Sequence, residues 1–97
     1  MYVVTSTLVR LTTATIWYPD YDPQGHQALV DFISSHTGFV SLTDEQPDEF
    51  TRIRVLTFDT MENWDAYMRN SYRSEELLTL MTYIFQEGIQ IRMTEPS

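Results

Sequence analysis

The sequence predicts an α+β domain of the ferredoxin-like kind, β-α-β-β-α-β, in which a four-stranded antiparallel sheet carries its helices on one face. Two observations carry this expectation. The side-chain period changes from two in Phe50-Thr-Arg-Ile-Arg-Val-Leu-Thr-Phe58 to about 3.6 in Asp59-Thr-Met-Glu-Asn-Trp-Asp-Ala-Tyr-Met68, so a strand feeds a helix through a very short turn. A strand–helix–strand pattern precedes it, giving two such units in tandem with right-handed crossovers and with the first and third strands at the sheet centre.

The elements follow in order. Val3 to Trp17 holds a β-branched run with strand composition, and Tyr18-Pro-Asp-Tyr-Asp-Pro-Gln-Gly25 reads as a loop. Asp22 is an N-cap residue and Pro23 suits the first helical position. The first helix then carries Leu29, Val30, Phe32 and Ile33 and stops before Gly38. Phe39 to Thr43 is a short second strand, and the acidic, proline-containing Asp44–Glu49 reads as the connection to the third strand, Phe50 to Phe58. Asp59 and Glu62 form a capping pattern for the next helix, along which Met61, Trp64, Tyr67 or Met68, and Tyr72 recur. Ser74 caps a further helix whose stripe is Leu77, Leu78, Met81, Ile84 and Phe85; Gly88 ends it, and Ile89–Thr94 alternates as the last strand.

Assigning the more apolar parity of each strand to the helix side places Val9, Leu11, Val40, Leu42, Ile53, Val55, Ile89, Ile91 and Met93 in the core. The open face then holds Leu8, Arg10, Thr12, Ile16, Phe39, Ser41, Arg52, Arg54, Leu56, Phe58, Gln90 and Arg92. Such a face can be solvated, can pack on the same face of a second subunit, or can also enclose a small acidic ligand held by Arg10, Arg52, Arg54 or Arg92. Arginine suits the last role because its planar fork meets a carboxylate or phosphate with two parallel hydrogen bonds.

Composition narrows the function classes. The 97 residues make one domain, 1–97, small enough that an uncovered sheet face gains from homodimerisation. Fourteen acidic against six basic residues leave a net charge of −8, which opposes nucleic-acid binding. An RNA-recognition module shares the element order but needs glycine and aromatic residues where this chain has Thr51–Phe58. The chain has no cysteine and no lysine, which excludes disulfides, thiolate catalysis and Schiff-base chemistry. No apolar stretch approaches a membrane span and Met1–Thr7 lacks a basic leader, so a soluble cytoplasmic protein is expected. No Walker, G-x-S-x-G or dinucleotide fingerprint is present.

Only His26 and His36 titrate near neutrality without a large shift. They stand ten residues apart, at no chelating spacing, so no metal is expected. His36, near a helix end, suits a capping role, whereas His26 at the helix start is a candidate for proton transfer. Trp17 and Tyr18, at a strand end before a proline, could rim a cavity and stack on a planar ligand.

The segments Gly38-Phe-Val-Ser41, Thr51-Arg52 with Val55-Leu-Thr-Phe58, and Asp59-Thr-Met-Glu-Asn-Trp-Asp-Ala-Tyr67 resemble the dimeric α+β barrel proteins of the antibiotic-biosynthesis-monooxygenase type. The resemblance runs from about Leu8 to Thr94. It implies homodimers whose open sheet faces close into a barrel, with a ligand cavity between sheet and helices. Family members include cofactor-independent oxygenases of phenols, haem-degrading enzymes, isomerases and decarboxylases. The haem-degrading pattern needs an Asn in the first strand and a His where this chain has Leu77, so no cofactor is implied. An oxygenase of this type would hold the substrate anion with Arg10, Arg52 and Arg54, pass a proton to His26 or His36, and stack the ring on Trp17 and Tyr67. The competing expectation is a non-catalytic dimeric binding or accessory protein with the same cavity.

Overall fold

The computed structural model describes residues 1–96. In order it contains β1 (Tyr2–Val9), α1 (Tyr18–Tyr21), α2 (Pro23–Ser34), β2 (Phe39–Asp48), β3 (Thr51–Phe58), α3 (Met61–Ser71), α4 (Glu75–Gln86) and β4 (Gln90–Thr94). All strand pairs are antiparallel, and the sheet order β2-β3-β1-β4 puts β3 and β1 at the centre. No helix of the described residues is long and apolar enough to cross a membrane.

Local chemistry explains the helix boundaries. The Asp22 carboxylate accepts a hydrogen bond from the Gly25 amide at 3.0 Å and Pro23 opens α2. The Ser74 hydroxyl accepts from the Leu77 amide at the start of α4. The cap of α3 lies one residue later than the Asp-x-x-Glu pattern predicts. Thr60 accepts from the Asn63 amide, while Asp59 is occupied by the Asn63 side-chain amide at 2.8 Å.

Four expectations need correction. The strand composition beyond Val9 belongs to a loop, and Tyr18–Tyr21, expected as loop, is a short helix opened by Pro19. The acidic segment after Thr43 does not leave the sheet: β2 continues to Asp48, pairing Asp44 with Arg54 and Glu45 with Ile53. The stripe on α4 is also rotated. Leu80, Tyr83 and Ile84 are buried, whereas Leu78 and Phe85 are 67% and 89% exposed. The rotation brings the Tyr83 hydroxyl to donate to the Ile16 carbonyl and its ring to stack on Tyr21 at 4.5 Å.

The fourth correction concerns the sheet faces. Val4, Leu8, Arg54, Leu56, Ile91 and Met93 share a cavity with Ile33, Trp64, Tyr67 and Leu80 of the helices. That side is therefore the helix side, and alternation sends Val3, Thr5, Thr7, Val9, Ile53 and Val55 to the open face. Arg52, Arg54, Leu56, Phe58 and Leu8 thus lie opposite to expectation. Leu42, Ile89, Ile91 and Met93 lie on the expected side; Leu11 falls in the loop after β1 and Val40 is 42% exposed beside a register shift in β2. Phe39 turns inward, its ring 6.2 Å from that of Phe58. Apolarity misleads because the open face is built largely of β-branched residues, while Arg52 and Arg54 of β3 turn to the helix side.

The core centres on Phe58, Leu29 and Val4, with Ile33, Leu56, Trp64 and Ile84 around them. Each full burial of a large apolar side chain contributes roughly 1.5–3 kcal/mol. The two edge strands differ: β4 has five residues, whereas β2 is long and carries Asp44, Glu45, Pro47 and Asp48.

Gly38 (φ +86) and Gly88 (φ +69) hold the left-handed conformation that follows α2 and α4. A Cβ on Gly38 would lie 2.4 Å from Asp59 Oδ1 and 2.7 Å from Asn63 Cβ; one on Gly88 would meet nothing within 4 Å. Gly88→Ala should therefore cost about 1–2 kcal/mol from conformation alone, and Gly38→Ala roughly 1 kcal/mol or more beyond that. Urea denaturation midpoints of the two variants check this ordering; equal losses would contradict it.

Candidate functional site

The candidate site lies between the central strands and the helices. Alternation along β3 points Arg52, Arg54, Leu56 and Phe58 inward, and the spacing on α3 brings Trp64, Tyr67 and Ser71 to meet them. Between them is a cavity of about 280 Å³, lined mostly by apolar side chains. Arg54 is the one charged residue among its lining residues. A cavity of about 150 Å³ accommodates benzene, so this volume suits a planar body of two fused rings.

Packed rings hold the aromatic wall. Tyr67 stacks on Phe58 at 5.3 Å and lies 5.5 Å from Trp64. The Trp64 indole N–H donates to Glu95 Oε1 at 2.9 Å, and the Tyr2 hydroxyl donates to the same oxygen, also at 2.9 Å. Burial, opposed in part by the nearby Arg54 charge, pushes the Tyr67 phenol up to about 12. Tyr67 is thus a neutral phenol through the physiological range.

A second, smaller cavity of about 30 Å³ shares Leu8, Arg54 and Leu80 with the first and is completed by Trp17, Tyr18, Asp44 and Arg52, among others. Arg54 is held on its outer side: one terminal nitrogen lies 3.5 Å from Asp44 Oδ2 and 3.4 Å from His26 Nε2. A guanidinium has only donors, so in this contact His26 accepts at Nε2 as the neutral imidazole. Burial first, and then the Arg54 charge, lowers the His26 pKa below its ordinary value. The guanidinium carbon of Arg52 lies 5.9 Å from the centre of the Trp17 ring and that of Arg10 lies 4.8 Å from it.

The structure brings five of the sequence-derived candidates to the cavities. Tyr67 lines the larger one, Trp17, Tyr18 and Arg52 the smaller, and Arg54 both. Arg10 lies outside their linings, donating to the Glu49 carbonyl at 2.7 Å and the Thr15 carbonyl at 2.6 Å. His26 lies outside the linings too, in contact with Arg54. At the end of α2, His36 donates from Nδ1 to the Phe32 carbonyl at 2.7 Å, and its Nε2 lies 3.4 Å from Asn70 Nδ2. Arg92 lies on the open face, opposite Thr7. Among the described residues, no group of three His, Asp or Glu side chains is placed to hold a metal ion.

Asp44 and Ser71 are site residues that sequence reasoning misses. The acidic run around Asp44 reads as a loop; continuing the strand alternation through it sets it beside an arginine of β3. Ser71, fully buried on the cavity wall with its hydroxyl donating to the Met68 carbonyl, has only its spacing from Trp64 and Tyr67 as a signal.

The raised Tyr67 pKa has a consequence for stability. Below pH 10 the phenol is neutral folded and unfolded; between pH 10 and about 12 only the unfolded chain ionises at this residue. Stability should fall across that window by up to about 3 kcal/mol. Denaturant midpoints measured across this range should show the fall, and Tyr67→Phe should flatten it. A proton titration by NMR should likewise place the His26 midpoint below its ordinary value.

No protein-family model and no curated protein matches the chain. Solved structures do. A Deinococcus radiodurans protein provisionally classed as an antibiotic biosynthesis monooxygenase superposes with a TM-score of 0.70 over 100% of this chain and 91% of that one, at 8% identity. SnoaB, a cofactor-independent oxygenase from Streptomyces nogalater, gives 0.68 over 99% and 90%, at 9% identity. A Nitrosomonas europaea protein, also provisionally an antibiotic biosynthesis monooxygenase, gives 0.59 over 97% and 96%, at 12% identity. At such identities the likeness is one of fold. The chain has the ferredoxin-like α+β fold of the antibiotic-biosynthesis-monooxygenase-like domains.

Proposed function

We propose that this protein binds a small aromatic molecule in the cavity between sheet and helices, as a homodimer joined through the open sheet face, and oxidises it without a cofactor. The observation that carries this reading is the cavity of about 280 Å³, with Trp64 and Tyr67 on its helix side and a single charged group, Arg54, in its wall. SnoaB, a cofactor-independent oxygenase, supplies the precedent for the reaction on this fold. In such chemistry the substrate anion itself gives electrons to oxygen. The protein's part is to exclude water, orient the ring and stabilise the anion with fixed positive charge, here that of Arg54 and Arg52. His26, neutral and in contact with Arg54, is the group to take the proton. The open face supports the dimer: Val3, Val9, Ile53 and Val55 are apolar, and Thr5 and Thr7 separate them.

A specific observation favours the second reading, a binding protein with no turnover. The Nε2 of His26 already meets Arg54, and both ring nitrogens of His36 have partners, so neither imidazole lines the cavity.

Oxygen-electrode assays with hydroquinone and dihydroxynaphthalene separate the two. Uptake that is lost in His26→Ala, with folding intact, supports the oxygenase; saturable binding with no uptake supports the binder. Arg54→Met should weaken binding of an anionic ring compound by about tenfold or more. Light scattering should show a dimer, and the double change Ile53→Glu with Val55→Glu should dissociate it; a monomeric wild type would remove the proposed assembly.

A further inference from the structure

Three nitrogen donors around the smaller cavity have no hydrogen-bond partner among the described residues although they are buried: Trp17 Nε1, Arg52 Nε and Arg54 Nε. All three side chains line that cavity, and Trp17 is only 4% exposed. Buried polar groups are nearly always paired, so three unpaired donors on the walls of one chamber call for an explanation. Indole and guanidinium nitrogens donate and never accept. The complement of this chamber is therefore an acceptor-only group.

Charge and size define that group further. Arg52 and Arg54 bring two positive charges to the walls, Asp44 brings one negative, and one positive charge is left in excess. That excess balances a monoanion. A dianion would be left with surplus negative charge beside the Asp44 carboxylate. The chamber's roughly 30 Å³ is about twice the space that holds one water molecule. Two oxygens fit, and a tetrahedral phosphate with its further oxygens does not. Leu8, Arg54 and Leu80 belong to the walls of both cavities, so the two are immediate neighbours, and a head group in one and an apolar body in the other are within reach of a single molecule.

We propose that the smaller chamber is a carboxylate subsite, and that the ligand is an aromatic carboxylic acid with its ring system in the larger cavity. This rests on the reading of the larger cavity as a ligand site and adds the chemical class. Trp17 Nε1 and the two arginine Nε groups donate to the carboxylate oxygens. Asp44 and His26 contact a terminal nitrogen of Arg54 and leave its Nε free to donate; Asp44 is a positioning residue.

Four ligands of one ring isomer test this by calorimetry on the wild-type protein: naphthoic acid, naphthamide, naphthol and naphthyl phosphate. The acid should bind about tenfold tighter than the amide, the discrimination that one charge-assisted hydrogen bond supports. Trp17→Phe keeps a ring and deletes one donor. It should weaken the acid more than the amide, which has only one acceptor oxygen, and so narrow the acid-to-amide ratio severalfold. A ratio near one on the wild type means that water alone satisfies the donors and overturns the proposal. Tightest binding of the phosphate or the naphthol overturns it as well, and in these cases the larger cavity still stands as a ligand site. If none of the four binds, that broader reading falls and the subsite falls with it. The wild-type ratio decides the matter even if the variant does not fold.

Discussion

The constraint on which the rest of this structure depends is the partial burial of two arginine side chains against the helix layer. Arg52 and Arg54 occupy inward positions on a central strand, where a charge without partners would cost several kcal/mol. The surrounding elements supply compensation from different parts of the chain. From the edge strand β2 comes Asp44, 3.5 Å from Arg54, and from α2 comes His26. The loop after β1 contributes Trp17 beside Arg52. Compensation is incomplete, since the two Nε atoms remain unpaired. A core designed only for stability would use apolar residues there, so the arginines point to a task at this end of the sheet.

This arrangement accounts for features that otherwise look incidental. β2 must run past Thr43 for Asp44 to stand opposite Arg54. The loop between β1 and α2 must fold back over the sheet to deliver Trp17, and it is held there from both sides. Arg10 donates to the Thr15 and Glu49 carbonyls. The Tyr83 hydroxyl donates to the Ile16 carbonyl, one residue from Trp17. The aromatic cluster of α1 and α4 around Tyr83 is thus the outer support of the polar chamber, while Trp64 and Tyr67, packed on Phe58, form the aromatic wall of the apolar one.

What could be read in the sequence is what local chemistry determines. Asp22-Pro23 and Ser74 cap their helices through contacts within three residues, and the change of period after Phe58 marks strand and helix without reference to the rest of the chain. The fold class follows from such signals in order. Face assignment does not, because alternation gives two parities and only tertiary packing chooses between them. Here the apolar parity of β3, Ile53 and Val55, lies on the open face, and the arginine parity is partly covered by neighbours distant in sequence. Asp44 was lost for the same reason: an acidic run next to proline reads as a loop until its arginine partner is in view. Trp17, Arg52, Arg54 and Tyr67 could be named singly, but their division between two neighbouring chambers could not.

The edges of the sheet carry a last consequence. β2 presents its outer side with acidic groups and a proline, which lacks the amide a further strand would need, and β4 is too short to template a long one. Sideways growth by strand addition is thereby obstructed at both margins. The surface left for the proposed pairing is the flat of the sheet, and a contact there would be self-limiting: once two such flats meet, neither has a second to offer. On that proposal the assembly would close after one pairing instead of propagating into a filament.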